Sequence, residues 1–99
     1  MTELDVVCRR PAEGGDWTCT VTVDVDGGSI TRHTVTVTSS DLERLDPGAR
    51  DPHLLVDVSF RFLLEREPNT SILRSFDLPV IGRYFSEYET EIRRHLGPG

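Results

Sequence analysis

The chain has 99 residues, 36% hydrophobic and 28% charged, with 17 Asp and Glu against 11 basic residues and a net charge of -6. That length suits a single domain, 1–99, burying roughly 65% of its unfolded surface, and the composition is neither disordered nor collagen-like. The acid excess argues against unaided nucleic-acid binding, where basic side chains supply most of the affinity, and no apolar run approaches the ~20 residues of a membrane span. All the basic residues are arginine, so every cation is a planar fork suited to bidentate contacts. The first residues, Met1 to Asp5, lack the basic and apolar regions of a signal peptide, so a cytoplasmic location is expected.

The first half reads as strands. Leu4, Val6 and Cys8 fall on one side of a segment from Glu3 to Arg10, and Pro11 to Asp16 form the turn after it. Trp17, Cys19, Val21, Val23 and Val25 then alternate with Thr18, Thr20, Thr22 and Asp24, the period of a half-buried strand. Asp26-Gly27-Gly28-Ser29 signals a turn, and His33, Val35 and Val37 share the apolar face of the next strand. Matching apolar faces pairs Val21 with Val35 and Cys19 with Val37, puts His33 opposite Val23, and requires an odd loop of three or five residues, or a bulge. The same matching sets Cys8 opposite Cys19. A disulfide there is geometrically conceivable, but two buried free thiols are the expectation for a cytoplasmic protein.

The second half reads as helices. Ser40 and Glu43 have capping-box spacing and open a short helix that ends before Pro47. Asp51-Pro52 starts the next helix, which should run to about Glu67, where Pro68 stops it. Its apolar residues cover most of the circumference, so it is expected to be central. Pro68 to Ser71 form a loop, Ile72 and Leu73 a short turn, and Asp77 is expected to cap Leu78 to Phe85. Ser86 and Glu89 have the spacing of another capping box, for a last helix from Glu87 to Leu96 ended by Gly97-Pro98.

The string from Ser59 to Pro68, then Ser71-Ile72-Leu73, Phe76 to Ile81 and Tyr84 to Glu89, resembles a family of short uncharacterised bacterial proteins, and Arg32 to Val37 fits the same pattern. The family carries proline where this chain has Ser86. The resemblance covers about the C-terminal two-thirds. It implies a single domain with strands first and helices after, and it transfers no reaction, ligand, partner or catalytic residue.

Six residues stand out as candidate ligand-binding groups. His33 is expected as a hydrogen-bonded core or rim histidine, with a site role as the alternative. His53, Asp57 and Arg61, with Glu65, follow at i, i+4 spacing and form one stripe. A solvated edge with weak ion pairs is the expectation for that stripe, and a seam facing a ligand or partner is the alternative. Arg66 and Arg74 flank the loop at Pro68, as a C-cap network or a small anion site. Two cysteines without further ligands are no zinc site, so no metal is expected. No phosphate loop or nucleophile elbow occurs, and neither a catalytic residue nor a cofactor is assigned. Trp17, Tyr84, Phe85 and Tyr88 are candidate interface aromatics, and the edge strands could pair with another chain.

The expected fold is therefore α+β, a three-stranded antiparallel meander (about 3–38) packed against three or four helices (about 41–96). The expected function is a small cytoplasmic protein-interaction module, self-associating as a homodimer or binding another chain, with no nucleic acid or membrane partner. The alternative is a small-ligand or anion-binding protein, or an enzyme, using His33, the His53/Asp57/Arg61 stripe or the Arg66/Arg74 corner.

Overall fold

The computed structural model describes residues 2–96. It has an α+β architecture with strands β1 (Thr2–Arg9), β2 (Trp17–Val25), β3 (Ile30–Val37) and β4 (Ser75–Asp77), and helices α1 (Ser39–Leu45), α2 (His53–Leu64), α3 (Ile81–Tyr84) and α4 (Tyr88–Leu96). Short 3-10 turns span Asn69–Ser71 and Leu78–Val80. The sheet order is β1-β2-β3-β4. The first three strands run antiparallel, but β4 joins β3 in parallel, so the sheet is four-stranded and mixed rather than a three-stranded meander. A three-residue strand carries too little alternation to stand out in a sequence, and the chain between β3 and β4 supplies the crossover that a parallel pair requires.

Alternation sets the faces. Val6, Cys19, Val21, Val23, His33, Val35 and Val37 are buried on one side, while Thr18 and Thr34 are exposed on the other. The register between β2 and β3 differs by two residues from the one expected. Val21 sits opposite His33, Cys19 opposite Val35 and Trp17 opposite Val37. A shift of two leaves the buried face unchanged, which is why matching faces could not distinguish the two registers. The turn decides. Val25 N–H bonds the Ser29 carbonyl at 3.4 Å, and Gly28 N–H returns to the Val25 carbonyl at 2.8 Å, which leaves a three-residue loop of Asp26, Gly27 and Gly28. Gly27 takes φ +75°, a conformation other residues reach only under strain. The odd loop length is as expected.

Cys8 does lie opposite Cys19. The two are joined in a disulfide, against the expectation of free thiols, and their Cα atoms are 4.0 Å apart. That spacing belongs to a directly opposed, non-hydrogen-bonded pair, where side chains on neighbouring strands come closest.

The buried side of the sheet is closed by α2 and the segments around it. Leu55, Val56, Phe60 and Leu63 of α2, Leu78, Ile81, Tyr88 and Ile92 join the sheet valines in one core. α2 packs on both β1 and α4, the central position its apolar circumference demands. Asp51 Oδ1 accepts the His53 N–H at 2.9 Å, but α2 begins at His53 with Pro52 at the N-cap, one residue later than an Asp51 cap with Pro52 as first helical residue would place it. The helix ends three residues early. The N–H groups of Arg66 and Glu67 both turn back to the Leu63 carbonyl, because Pro68 disfavours a helical residue before it.

Three other caps also differ from expectation. The box of α1 is Thr38 with Asp41: the Thr38 hydroxyl accepts the Asp41 N–H at 3.0 Å and Asp41 returns to the Thr38 N–H at 3.2 Å. Thr38 is still extended as β3 ends, so it can face the helix where Ser40, already inside α1, cannot. Asp77 precedes the Leu78 turn without a side-chain cap. Glu89 reaches Arg44 across to α1 instead of turning back to Ser86, and that bond raises the Arg44 pKa above its ordinary value. The expected stop at Gly97-Pro98 lies outside the described residues.

Candidate functional site

His33 is a structural tie. It is buried on the core face, its ring 5.3 Å from that of Phe60. Nδ1 lies 2.7 Å from the Leu73 carbonyl, which can only accept, so Nδ1 carries the proton. Nε2 lies 2.9 Å from the Thr31 hydroxyl and accepts from it in the neutral ring. Asn69 Nδ2 donates to that same hydroxyl at 3.1 Å and to the Ser29 carbonyl at 2.9 Å. This chain of bonds pins the loop after α2 onto the start of β3 and leaves no ring nitrogen for a ligand.

The α2 stripe is a solvated edge. Arg61 Nε meets Asp57 Oδ1 at 2.8 Å with the Arg61 side chain 60% exposed, and His53 is exposed at the helix start. The Arg66/Arg74 corner does not form one site. Arg66 donates to the Phe62 carbonyl at 3.0 Å, stacks on the Phe62 ring at 3.6 Å, and stands 3.6 Å from Glu87. It is a C-terminal helix cap held in place by an aromatic ring. Arg74 instead lines a separate cleft of about 440 Å³ with Arg32, Thr31, Asn69 and Thr70. No acid pairs with Arg32 or Arg74 among the described residues.

Of the candidate aromatics, Tyr88 belongs to the core. It is fully buried, and burial pushes its phenol pKa well above the ordinary tyrosine value. Its hydroxyl lies 2.7 Å from Ser59 Oγ, which donates its own proton to the Leu55 carbonyl. Trp17 is half-buried, with the Arg10 guanidinium 5.2 Å from its ring centroid. Tyr84 is 69% exposed and Leu73 49% exposed.

Those two residues lie on a groove of about 320 Å³ between the end of α2, β4 and α3. Leu63, Ile72, Phe76, Ile81 and Phe85 are among its lining residues, so the surface it offers is apolar. The half-buried Glu67 also lines it, and the Glu67 carboxylate has no partner among the described residues. β4 borders the groove as the outer strand. Thr34 N–H bonds the Arg74 carbonyl at 2.7 Å, so the backbone groups of the next residue, Ser75, point away from β3. His33 holds the Leu73 carbonyl from inside and thereby fixes the groove's lip.

Reading along the chain could not assemble this groove: its lining falls within residues 63–85, but the turns that fold this stretch back on itself carry no periodic signal. The legible signal was an excess of large apolar residues, Leu73 and Tyr84, in segments too short to bury them.

Among the described residues no group of three His, Cys, Asp or Glu side chains is placed to hold a metal. Nor is any helix there long and apolar enough to cross a membrane. Comparison with known proteins found no matching family model, no matching curated protein and no matching solved structure.

Proposed function

We propose that the chain is a small protein-interaction module that works by binding rather than by catalysis. It takes an extended segment of a partner in the groove beside β4. The observation that carries this reading is the groove itself, an apolar concavity with exposed Leu73 and Tyr84 and one carboxylate, Glu67, unpaired among the described residues. A large aromatic or aliphatic side chain would fill the apolar space, and an adjacent Lys or Arg would meet Glu67. The open side of Ser75 offers main-chain hydrogen bonds to an added strand.

The test is selection from a displayed random-peptide library. Enrichment of an apolar anchor next to a basic residue, abolished by Leu73→Glu at unchanged thermal stability, supports the reading. No enrichment, or equal enrichment on Leu73→Glu, overturns it.

The proposed setting is the cytoplasm, where thiol reductants such as glutathione would hold Cys8 and Cys19 in the reduced form. The resemblance of the segment from Ser59 to Glu89 supports placing the chain among short bacterial proteins.

A second reading, anion binding, is favoured by the cleft that holds Arg32 and Arg74 without acidic partners among the described residues. Calorimetric titration with inorganic phosphate tests it, and heat lost in Arg74→Ala supports it.

A further inference from the structure

The other border of the sheet is β1, eight residues long, paired with β2 in unbroken register from Thr2 to Arg9 and free of proline or bulge. Natural edges of this length are normally shortened, bent or covered, because their unpaired backbone groups template another strand.

The facing of those groups follows from two observations. The 4.0 Å Cα separation of Cys8 and Cys19 marks a non-hydrogen-bonded pair on the β2 side. Val25, of the same parity as Cys19 along β2, bonds Ser29, on the β3 side, just before β3 begins. The N–H and C=O groups of Leu4, Val6 and Cys8 therefore point out of the sheet edge, and none has a partner among the described residues.

The side chains are unsatisfied in the same way. Glu3 stands directly opposite another acid, Asp24, and Arg9 opposite Thr18. Neither Glu3 nor Arg9 has an ion-pair partner among the described residues.

We propose that a second copy of this chain pairs antiparallel along β1, with the two-fold axis at Val6. In that register Val6 faces the partner's Val6 and Leu4 faces the partner's Cys8. These outward-pointing residues form hydrogen-bonded pairs, each exchanging two bonds. Glu3 then meets the partner's Arg9 on the solvent face, and Arg9 the partner's Glu3, so both ends close with opposite charges. Centring instead between Leu4 and Val6 would set Asp5 against the partner's Asp5, which like-charge repulsion disfavours.

On the core side, a cleft of about 250 Å³ lined by Leu4 of β1, Arg61 and Leu64 of α2 and Glu65 just after it opens at the same edge. The half-buried Leu4 and Leu64 gain cover there from the second copy. The interface is isologous and closes as a dimer, joining the two sheets into one.

The proposal deepens the reading of the chain as an interaction module but uses the edge opposite the groove, so peptide selection at Leu73 and dimerisation at β1 succeed or fail separately. Sedimentation equilibrium of the full chain from low to high micromolar concentration tests it, using Glu3→Arg and Arg9→Glu, both at exposed positions. The wild type should show a concentration-dependent dimer. Each single variant should dimerise more weakly by about tenfold or more, because two attractive cross-strand pairs become repulsive. An equal mixture of the two variants should recover dimer, since both ends of β1 are basic in one variant and acidic in the other, so opposite charges meet again at each end. Leu4→Pro, which deletes an outward N–H that an edge strand can spare, should also weaken the dimer while leaving the monomer folded. A wild type that stays monomeric, or a dimer indifferent to all three substitutions, overturns the proposal.

Discussion

His33 Nδ1 donates to the carbonyl of Leu73 at 2.7 Å, and the Leu73 side chain is exposed. One end of this relationship is a buried ring in the sheet and the other is the lip of the groove. The sheet interior thus helps fix a surface feature, alongside the loop's own bonds from Ser71 to Pro68 and from Ile72 to Asn69.

Removing the ring should loosen that lip. His33→Ala leaves a cavity beside Phe60, strands the Leu73 carbonyl and removes the acceptor of the Thr31 hydroxyl proton. The expected loss is about 3 kcal/mol in a urea melt. Amide exchange should speed up first at residues 69–74. A loss under about 1 kcal/mol would show that the tie carries little.

The sheet faces predict opposite outcomes at neighbouring positions. Val21 is fully buried, while Thr20 is half-buried on the open face. Val21→Asp should prevent cooperative folding, because an unpaired carboxylate in the core costs several kcal/mol. Thr20→Asp should shift the thermal midpoint by only a few degrees.

Arg61→Ala should cost under about 1 kcal/mol, since an exposed i, i+4 pair is screened by water and offset by side-chain entropy. A loss near 3 kcal/mol in a urea melt would instead mean that the stripe is covered in solution. The β1 dimer would be the first place to look.

Tyr88 sets an alkaline limit. Its folded pKa lies above the unfolded value of about 10, so the folded state holds the phenol proton more tightly. Stability from this group is complete below about pH 10 and falls as pH rises beyond it. Tyr88→Phe should cost about 1 kcal/mol at neutral pH through the lost hydrogen bond to Ser59. It should also flatten the alkaline decline in melts recorded from pH 9 to 11.

The sequence was most legible where periodicity is strict. β2 spans Trp17–Val25 as its alternation indicates, and the buried face of β3 follows from His33, Val35 and Val37. The register was not legible, because a slip of two residues preserves that face and only the Gly27 turn geometry separates the alternatives. The α1 cap was ambiguous because Thr38/Asp41 and Ser40/Glu43 both place a hydroxyl three residues before an acid. Of the six candidate ligand groups, His33 and Arg66 are occupied by backbone carbonyls and Arg61 by Asp57, partners that only the folded chain displays. β4 and the groove depend on the crossover that returns residues 69–85 beside β3, a non-local event without local periodicity.

Binding at the groove is decided by a nitrogen-15 NMR titration of the full chain with a peptide selected from the library. Shift changes should concentrate at Glu67, Ile72, Leu73, Phe76, Tyr84 and Phe85, with Ser75 among the most affected amides, and none of these changes should appear in Leu73→Glu. Changes centred on Arg32 and Arg74, on the threonine face of the sheet, or spread without focus would contradict binding there.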